Sequence, residues 1–201
     1  MGPKHIKWFC QNKDYDVDSL IAIPIGLQNM KLRLGKAASG GKYSSEIRGA
    51  HANSLLLDKV NNFEIEKEKL VYMNFSINTY PFERQAVWNY FKNESWITKT
   101  KNISIEQYYF DLAEHKFVIS PRGNGVDCHR TWEALYLRTI PIVKRSVHMK
   151  EFEELPIFFV DKWEEVCYTR LVEFYNKVQN TLYNLDKMKI SYWRDKIKNE
   201  H

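Results

Sequence analysis

A chain of 201 residues, 44% hydrophobic and 27% charged, can bury one substantial core, so one domain, or one plus a fragment of another, is expected. The formal net charge of +5 suits an anionic ligand, but Lys and Arg are interspersed with Glu and Asp, which argues against sequence-specific nucleic-acid binding. The scattered cysteines Cys10, Cys128 and Cys167 offer no disulfide framework and favour a reducing, cytoplasmic or otherwise soluble setting; no apolar run is long enough for a signal peptide or a spanning helix, so no membrane anchor is expected in this sequence.

In chain order, Lys4–Cys10 and Leu20–Pro24 read as short strands separated by a polar turn over Asn12–Asp18. Residues 35–54 are loop-like, with Gly35, Gly40 and Gly41, and helical character sets in near Ser45–Leu57. Lys69–Phe75 reads as a strand between charged residues, Pro81–Lys92 as a helix with proline in its first turn, and Trp96–Thr98 as a weak strand. Ser104 caps a helix running to Glu114 that buries Ile105, Tyr108, Tyr109 and Leu112. A buried strand at Phe117–Ile119 leads through a loop into a helix opening near Cys128–Thr131, and strands follow at Ile140–Lys144 and Ile157–Val160. From Trp163 the chain is helical, with Cys167, Leu171, Phe174, Val178 and Leu182 at helical spacing. The basic tail Lys187–Lys198 reads as a solvated helical face. Strands alternating with helices imply an α/β fold with a Rossmann-like, doubly wound parallel sheet.

The run from His115 to Val143 carries the chemistry. A strand feeding a glycine-containing loop at a helix N-terminus is how α/β folds bind phosphate. The loop and first helical turn hold Arg122, Gly123, Asn124, Gly125, Asp127, His129, Arg130 and Glu133. Glycines permit close backbone approach, Arg supplies fixed charge with forked donors, and a carboxylate one turn into the helix accepts hydrogen bonds from a sugar diol. Together these point to a nucleotide diphosphate with its ribose. The third glycine of a dinucleotide fingerprint is missing and no GKS or GKT follows, so NAD binding and a P-loop are disfavoured. A lone Pro-Arg-Gly would read as a surface turn; so many polar groups between apolar strands need each other or a ligand.

Asp14, Asp16 and Asp18 form a DxDxD run beside a strand, which could hold a divalent ion but more simply is an acidic exposed turn; no metal and no cofactor are expected, and the three stay as weak catalytic candidates near a cleft, with Asp127 and His129.

At the same positions the sequence resembles a known group. Ser120-Pro121-Arg122-Gly123-Asn124-Gly125-x-Asp127-x-His129-Arg130-Thr131-Trp132-Glu133-Ala134-Leu135 followed by Ile140-Pro141-Ile142-Val143 is similar to the donor-binding signature of exostosin-like glycosyltransferases (glycosyltransferase family 47 and microbial and viral relatives). Trp8-Phe9-x-Gln11-Asn12, Ile23-Pro24-Ile25-Gly26-Leu27, Val71-Tyr72-x-Asn74-Phe75-Ser76-Ile77-x-Thr79 with Arg84, and Leu155-Pro156 with Val160-Asp161-x-Trp163 resemble further blocks in order. The resemblance implies the GT-B class, with residues 60–201 as the nucleotide-sugar-binding half and 1–59 as a short, incomplete remnant of the acceptor half and its connection. It implies metal-independent, mainly inverting transfer of a sugar from a nucleotide-diphosphate sugar to a glycan or other hydroxyl acceptor. Arg84 with Arg122 or Arg130 would hold the diphosphate, Glu133 the ribose, and Asn124, Asp127 and His129 would face the sugar or cleft. Relatives usually carry Gly where this chain has Arg138, which bears on the following turn. Two alternatives stay open: a non-catalytic nucleotide-sugar-binding module working with a separate acceptor domain, and a basic nucleic-acid-associated domain.

Overall fold

The computed structural model describes residues 6–28 and 50–200. The expectation for residues 35–49, and the first residues of the expected strand Lys4–Cys10, lie outside the described residues. Strands β1 (Trp8–Cys10) and β2 (Leu20–Ala22) pair in parallel as a small sheet of their own. Helix α1 (Ala50–Asn61) then leads into β3 (Lys69–Met73), α2 (Pro81–Phe91), β4 (Ile97–Lys99), α3 (Ile105–Glu114), β5 (His115–Ile119), α4 (His129–Tyr136), β6 (Ile140–Lys144), β7 (Phe158–Val160), α5 (Tyr168–Gln179) and α6 (Ile190–Asn199). The main sheet has five strands, all parallel, in the order β4-β3-β5-β6-β7. Among the described residues no helix is long and apolar enough to cross a membrane.

Alternation along the strands explains why both faces are covered. Val71, Met73, Phe117, Ile119, Ile142 and Val160 point to one face and pack with Val87 and Phe91 of α2 and Leu171 of α5. Tyr72 and Val118 point to the other, against Leu57 and Val60 of α1, Tyr109 and Leu112 of α3 and Ala134 of α4. The Rossmann-like expectation is met, and α1 runs across the expected boundary at 59/60, joining the sheet through Leu57 and Val60. Ile21 and Ala22 of β2 dock beside Trp132, Phe152 and Trp193. The tail is therefore more than a solvated face, since Trp193 of α6 is buried and its indole donates to the Lys187 carbonyl at 2.7 Å. At the end of α5 the helical spacing outruns the helix, which stops at Gln179 and leaves Leu182 fully exposed.

Strand order determines where a ligand can sit. The chain goes from β3 outward to β4, then returns across β3 to place β5 on its other side. At such a reversal the loops leaving the two neighbouring strands part and open a crevice at their carboxyl ends. Here that position falls between the segment after β3 and the Ser120–Cys128 loop after β5.

The opposite, amino-terminal end is tied by Lys67. Its Nζ lies within hydrogen-bonding distance of four acceptors, the carbonyls of Ala113, His115 and Leu137 at 2.8–3.1 Å and Thr139 Oγ1 at 2.7 Å, which its three N–H groups share. Burial, and then the Arg138 charge, push its pKa from 10.5 down to about 7. Arg138 itself follows α4 with φ of +58°. Its N–H bonds the Leu135 carbonyl at 3.1 Å and that of Thr139 the Ala134 carbonyl at 2.8 Å, the double bond of a Schellman termination. A left-handed residue is required there, a conformation that glycine adopts without the steric cost it has for Arg138.

Two outcomes follow for stability. Arg138→Gly should stabilise the fold by about 0.5–1 kcal/mol, because relief of left-handed strain exceeds the chain entropy glycine adds to the unfolded state; a lower urea midpoint would contradict this. For Lys67, a folded pKa below the unfolded one means that the unfolded chain holds the extra proton between pH about 7 and 10.5, so this group's contribution to stability rises with pH in that window. The stability lost in Lys67→Met should thus grow with pH, by at most about 1.4 kcal/mol per unit, in denaturant titrations of both proteins. A pH-independent difference would show that Lys67 stays protonated throughout.

Candidate anion site at the sheet crossover

The crevice is built around three arginines. Arg84, on the first turn of α2, is 4% exposed, and its guanidinium is spent on backbone oxygens: Nε donates to Arg122 O at 2.7 Å, Nη1 to Ser76 O at 2.8 Å and Nη2 to Pro121 O at 3.4 Å. It therefore locks the loop after β5 onto the segment after β3. Glu83 is turned away and accepts from the Trp163 indole at 3.0 Å, so no surface Glu83–Arg84 pair forms. Burial, followed by the charge of Arg130, lowers the Arg84 pKa to about 10. Gly123 lies against this guanidinium, and a Cβ there would come within 3.2 Å of Nη2.

Arg130, at the start of α4, donates from Nε to Asn74 O at 3.1 Å, while its Nη1 is buried and has no partner among the described residues. Arg130 and Arg84 both approach the Phe75 ring, whose centre is 5.8 and 5.6 Å from their guanidinium carbons. Arg122 stacks on the Tyr80 ring at 4.5 Å, and its Nε is likewise buried and unpartnered. Among the described residues none of the three forms an ion pair with a carboxylate. Arg84 is buried and Arg122 and Arg130 are half-buried; buried guanidinium atoms that lack a partner are costly unless a ligand supplies one. Forked donors and fixed charge are the chemistry that can pair with an anion carrying several oxygens, such as a diphosphate.

The remaining expected residues divide. His129 donates from Nδ1 to the Gly26 carbonyl at 2.7 Å, since that oxygen can only accept. The bond puts a proton on Nδ1, and among the described residues Nε2 has no hydrogen-bond partner. Asn124 is exposed at the loop tip. Asp127 does not face the cleft: it is buried, accepting from Ile25 N at 2.8 Å, from the Trp132 indole at 2.9 Å and from His148 Nε2 at 3.3 Å. Glu133 is wholly buried, its oxygens accepting from Tyr108 and Tyr109 hydroxyls at 3.0 and 3.3 Å. The expected diol contact is not made in this arrangement, because a ribose would have to displace a tyrosine. The space over Gly125 belongs to the chain itself, for an added Cβ would meet Asn12 Oδ1 at 2.1 Å. Gly125 is thus small for Asn12 rather than for a ligand.

Asp14, Asp16 and Asp18 are exposed and do not converge. Asp16 faces Lys150 at 3.1 Å and Lys13 at 3.6 Å, and hydrogen bonding to Lys150 holds its carboxyl below the usual range. No group of three or more His, Cys, Asp or Glu able to hold a metal occurs among the described residues.

Several contributors carry no local sequence signal. Asn12 has φ of +56°, and its Oδ1 accepts from Asp127 N at 2.9 Å. His148 is fully buried; its Nδ1 accepts from Lys13 N at 3.1 Å, so Nε2 carries the proton directed at Asp127. These contacts and the Ile25 and Gly26 bonds fasten the β1–β2 segment to the loop that carries Arg122. Tyr80 carries no sequence signal and enters through its contact with Arg122, whereas Phe75 belongs to the resembling block after β3. Compared with protein-family models and with curated proteins, the chain matches none.

Gly125→Ala should cost about 1–2 kcal/mol by pushing Asn12 off the Asp127 amide. In an Asn12→Ala background the same substitution should cost much less, which a double-mutant cycle of denaturation midpoints measures. Additive effects would disprove the latch.

Proposed function

We propose that this chain is the donor-binding part of a nucleotide-sugar glycosyltransferase of exostosin-like, GT-B type. The observation that carries the reading is the carboxylate-free cluster of Arg84, Arg122 and Arg130 at the sheet crossover, with buried, unpartnered donor atoms on Arg122 and Arg130. The resembling motif Ser120–Leu135 supplies the reaction class.

In this reading the diphosphate of the donor lies on Arg122 and Arg130. Arg84 holds the loop in place and adds its field. An acceptor hydroxyl of a glycan or similar molecule attacks the anomeric carbon; the bond from that carbon to the diphosphate oxygen breaks, and its electron pair leaves with the nucleoside diphosphate. Negative charge grows on the leaving oxygen, so guanidinium groups already aimed at it lower the barrier without reorganising. The hydroxyl proton needs an acceptor. His129 Nε2 fits that need, its lone pair held ready by the Nδ1 bond to Gly26. Fixed positive charge at the phosphates makes the donor site independent of divalent ions, so chelation should leave binding unchanged.

Incubation with a panel of nucleotide sugars, following release of nucleoside diphosphate, tests the reading. Turnover that persists in EDTA is expected. Arg130→Gln should lower kcat/KM by roughly ten- to a hundredfold through loss of a charge-assisted contact. Donor binding without turnover would favour a nucleotide-sugar-binding module; absence of binding to any nucleotide sugar or nucleotide would refute the reading.

A further inference from the structure

The mouth of the arginine cluster carries an aromatic feature with no role in the core. Phe82 sits in the first turn of α2, at the carboxyl end of β3 where the crevice opens, and is 90% exposed. A lone exposed apolar side chain would need no explanation, but Phe82 is not alone. Its ring centre lies 6.1 Å from that of Tyr80 at 58°, and Tyr80 is the ring on which Arg122 stacks at 4.5 Å. Arg122, Tyr80 and Phe82 thus form a ladder running outward from the buried, unpartnered Arg122 Nε.

The ladder is held by its backbone. Tyr80 N–H bonds the Ile77 carbonyl at 3.2 Å, the Tyr80 carbonyl accepts from Arg84 N at 3.0 Å, and Pro81 fixes the entry to α2 at its first position. A preset aromatic surface binds ring faces at little ordering cost, and stacking on it tolerates different ring identities.

We infer that Phe82, with Tyr80, is the stacking wall for a ring covalently attached to the diphosphate held by Arg122 and Arg130. This rests on the donor-site reading above and adds to it a subsite for the rest of the ligand. A ligand whose diphosphate meets Arg122 and whose ring extends outward along Tyr80 would meet Phe82. A nucleobase and a pyranose share the needed chemistry, a flat face able to cover an aromatic ring, and affinity measurements separate them.

Calorimetric titration of wild-type protein, Phe82→Ala and Phe82→Trp with inorganic pyrophosphate, with uridine and guanosine diphosphates, and with their sugar conjugates tests this. Exposure of Phe82 means that folding should be unaffected, which thermal melts check. Pyrophosphate affinity should be equal in all three proteins. Phe82→Ala should weaken the ring-bearing ligand about 5- to 100-fold, and Phe82→Trp should retain it. Weakening already at the nucleoside diphosphate identifies the base as occupant; weakening only at the conjugate identifies the sugar ring. Normal pyrophosphate binding with no change in any ring-bearing ligand would overturn the stacking wall and leave the phosphate site standing. Failure of wild-type protein to bind pyrophosphate or any nucleotide would overturn both.

Discussion

The buried guanidinium of Arg84 is the joint on which the crevice depends. Parallel strands that separate at a crossover leave two loops with nothing in common, and their free carbonyls point into the gap. Arg84 joins them, drawing Ser76 from one side and Pro121 and Arg122 from the other onto one planar group. Arginine suits this because its donors fan out in a fixed plane and its charge persists under desolvation that lowers its pKa to about 10. Among the described residues no carboxylate forms an ion pair with Arg84, although the charge of Glu83 acts on it from a distance. Arg130 shares Phe75 with Arg84, and its charge is the second cause, after burial, of the lowered Arg84 pKa.

A second joint works at the other side of the loop. Asp127 could have served a ligand, yet it gathers Ile25, Trp132 and His148, while Asn12 fills the space above Gly125. The β1–β2 segment is thereby coupled to the loop bearing Arg122, and the Gly26 carbonyl that orients His129 comes from the same segment. Movement of that segment would reach the anion site and the His129 ring together.

Legibility followed the range of the interactions. The apolar run Lys69–Met73, proline at the start of α2 and the Ser104 cap, which accepts from Gln107 N at 3.1 Å, are local signals, and the fold class emerged from them. Arg122 and Arg130 stood out because charge between apolar strands is expensive unless used. Glu133 misled for the same reason. Its neighbours suggested a carboxylate offered to a diol, but Tyr108 and Tyr109, which take it inward, belong to another helix. Gly125 and Asp127 likewise carried the marks of a ligand loop while answering to Asn12 and His148, partners that no local pattern reveals. The end of α5 at Gln179 was missed because apolar spacing continued to Leu182 after the helix had stopped.

The central claim is that the carboxylate-free arginines at the crossover hold a diphosphate. A crystal structure of the protein grown with a nucleoside diphosphate tests it most directly. The account predicts phosphate oxygens within hydrogen-bonding distance of Arg122 Nε and Arg130 Nη1, with Arg84 still on the carbonyls of Ser76, Pro121 and Arg122. A diphosphate bound elsewhere, or a crevice in which these guanidinium groups turn to carboxylates and exclude it, would contradict the account.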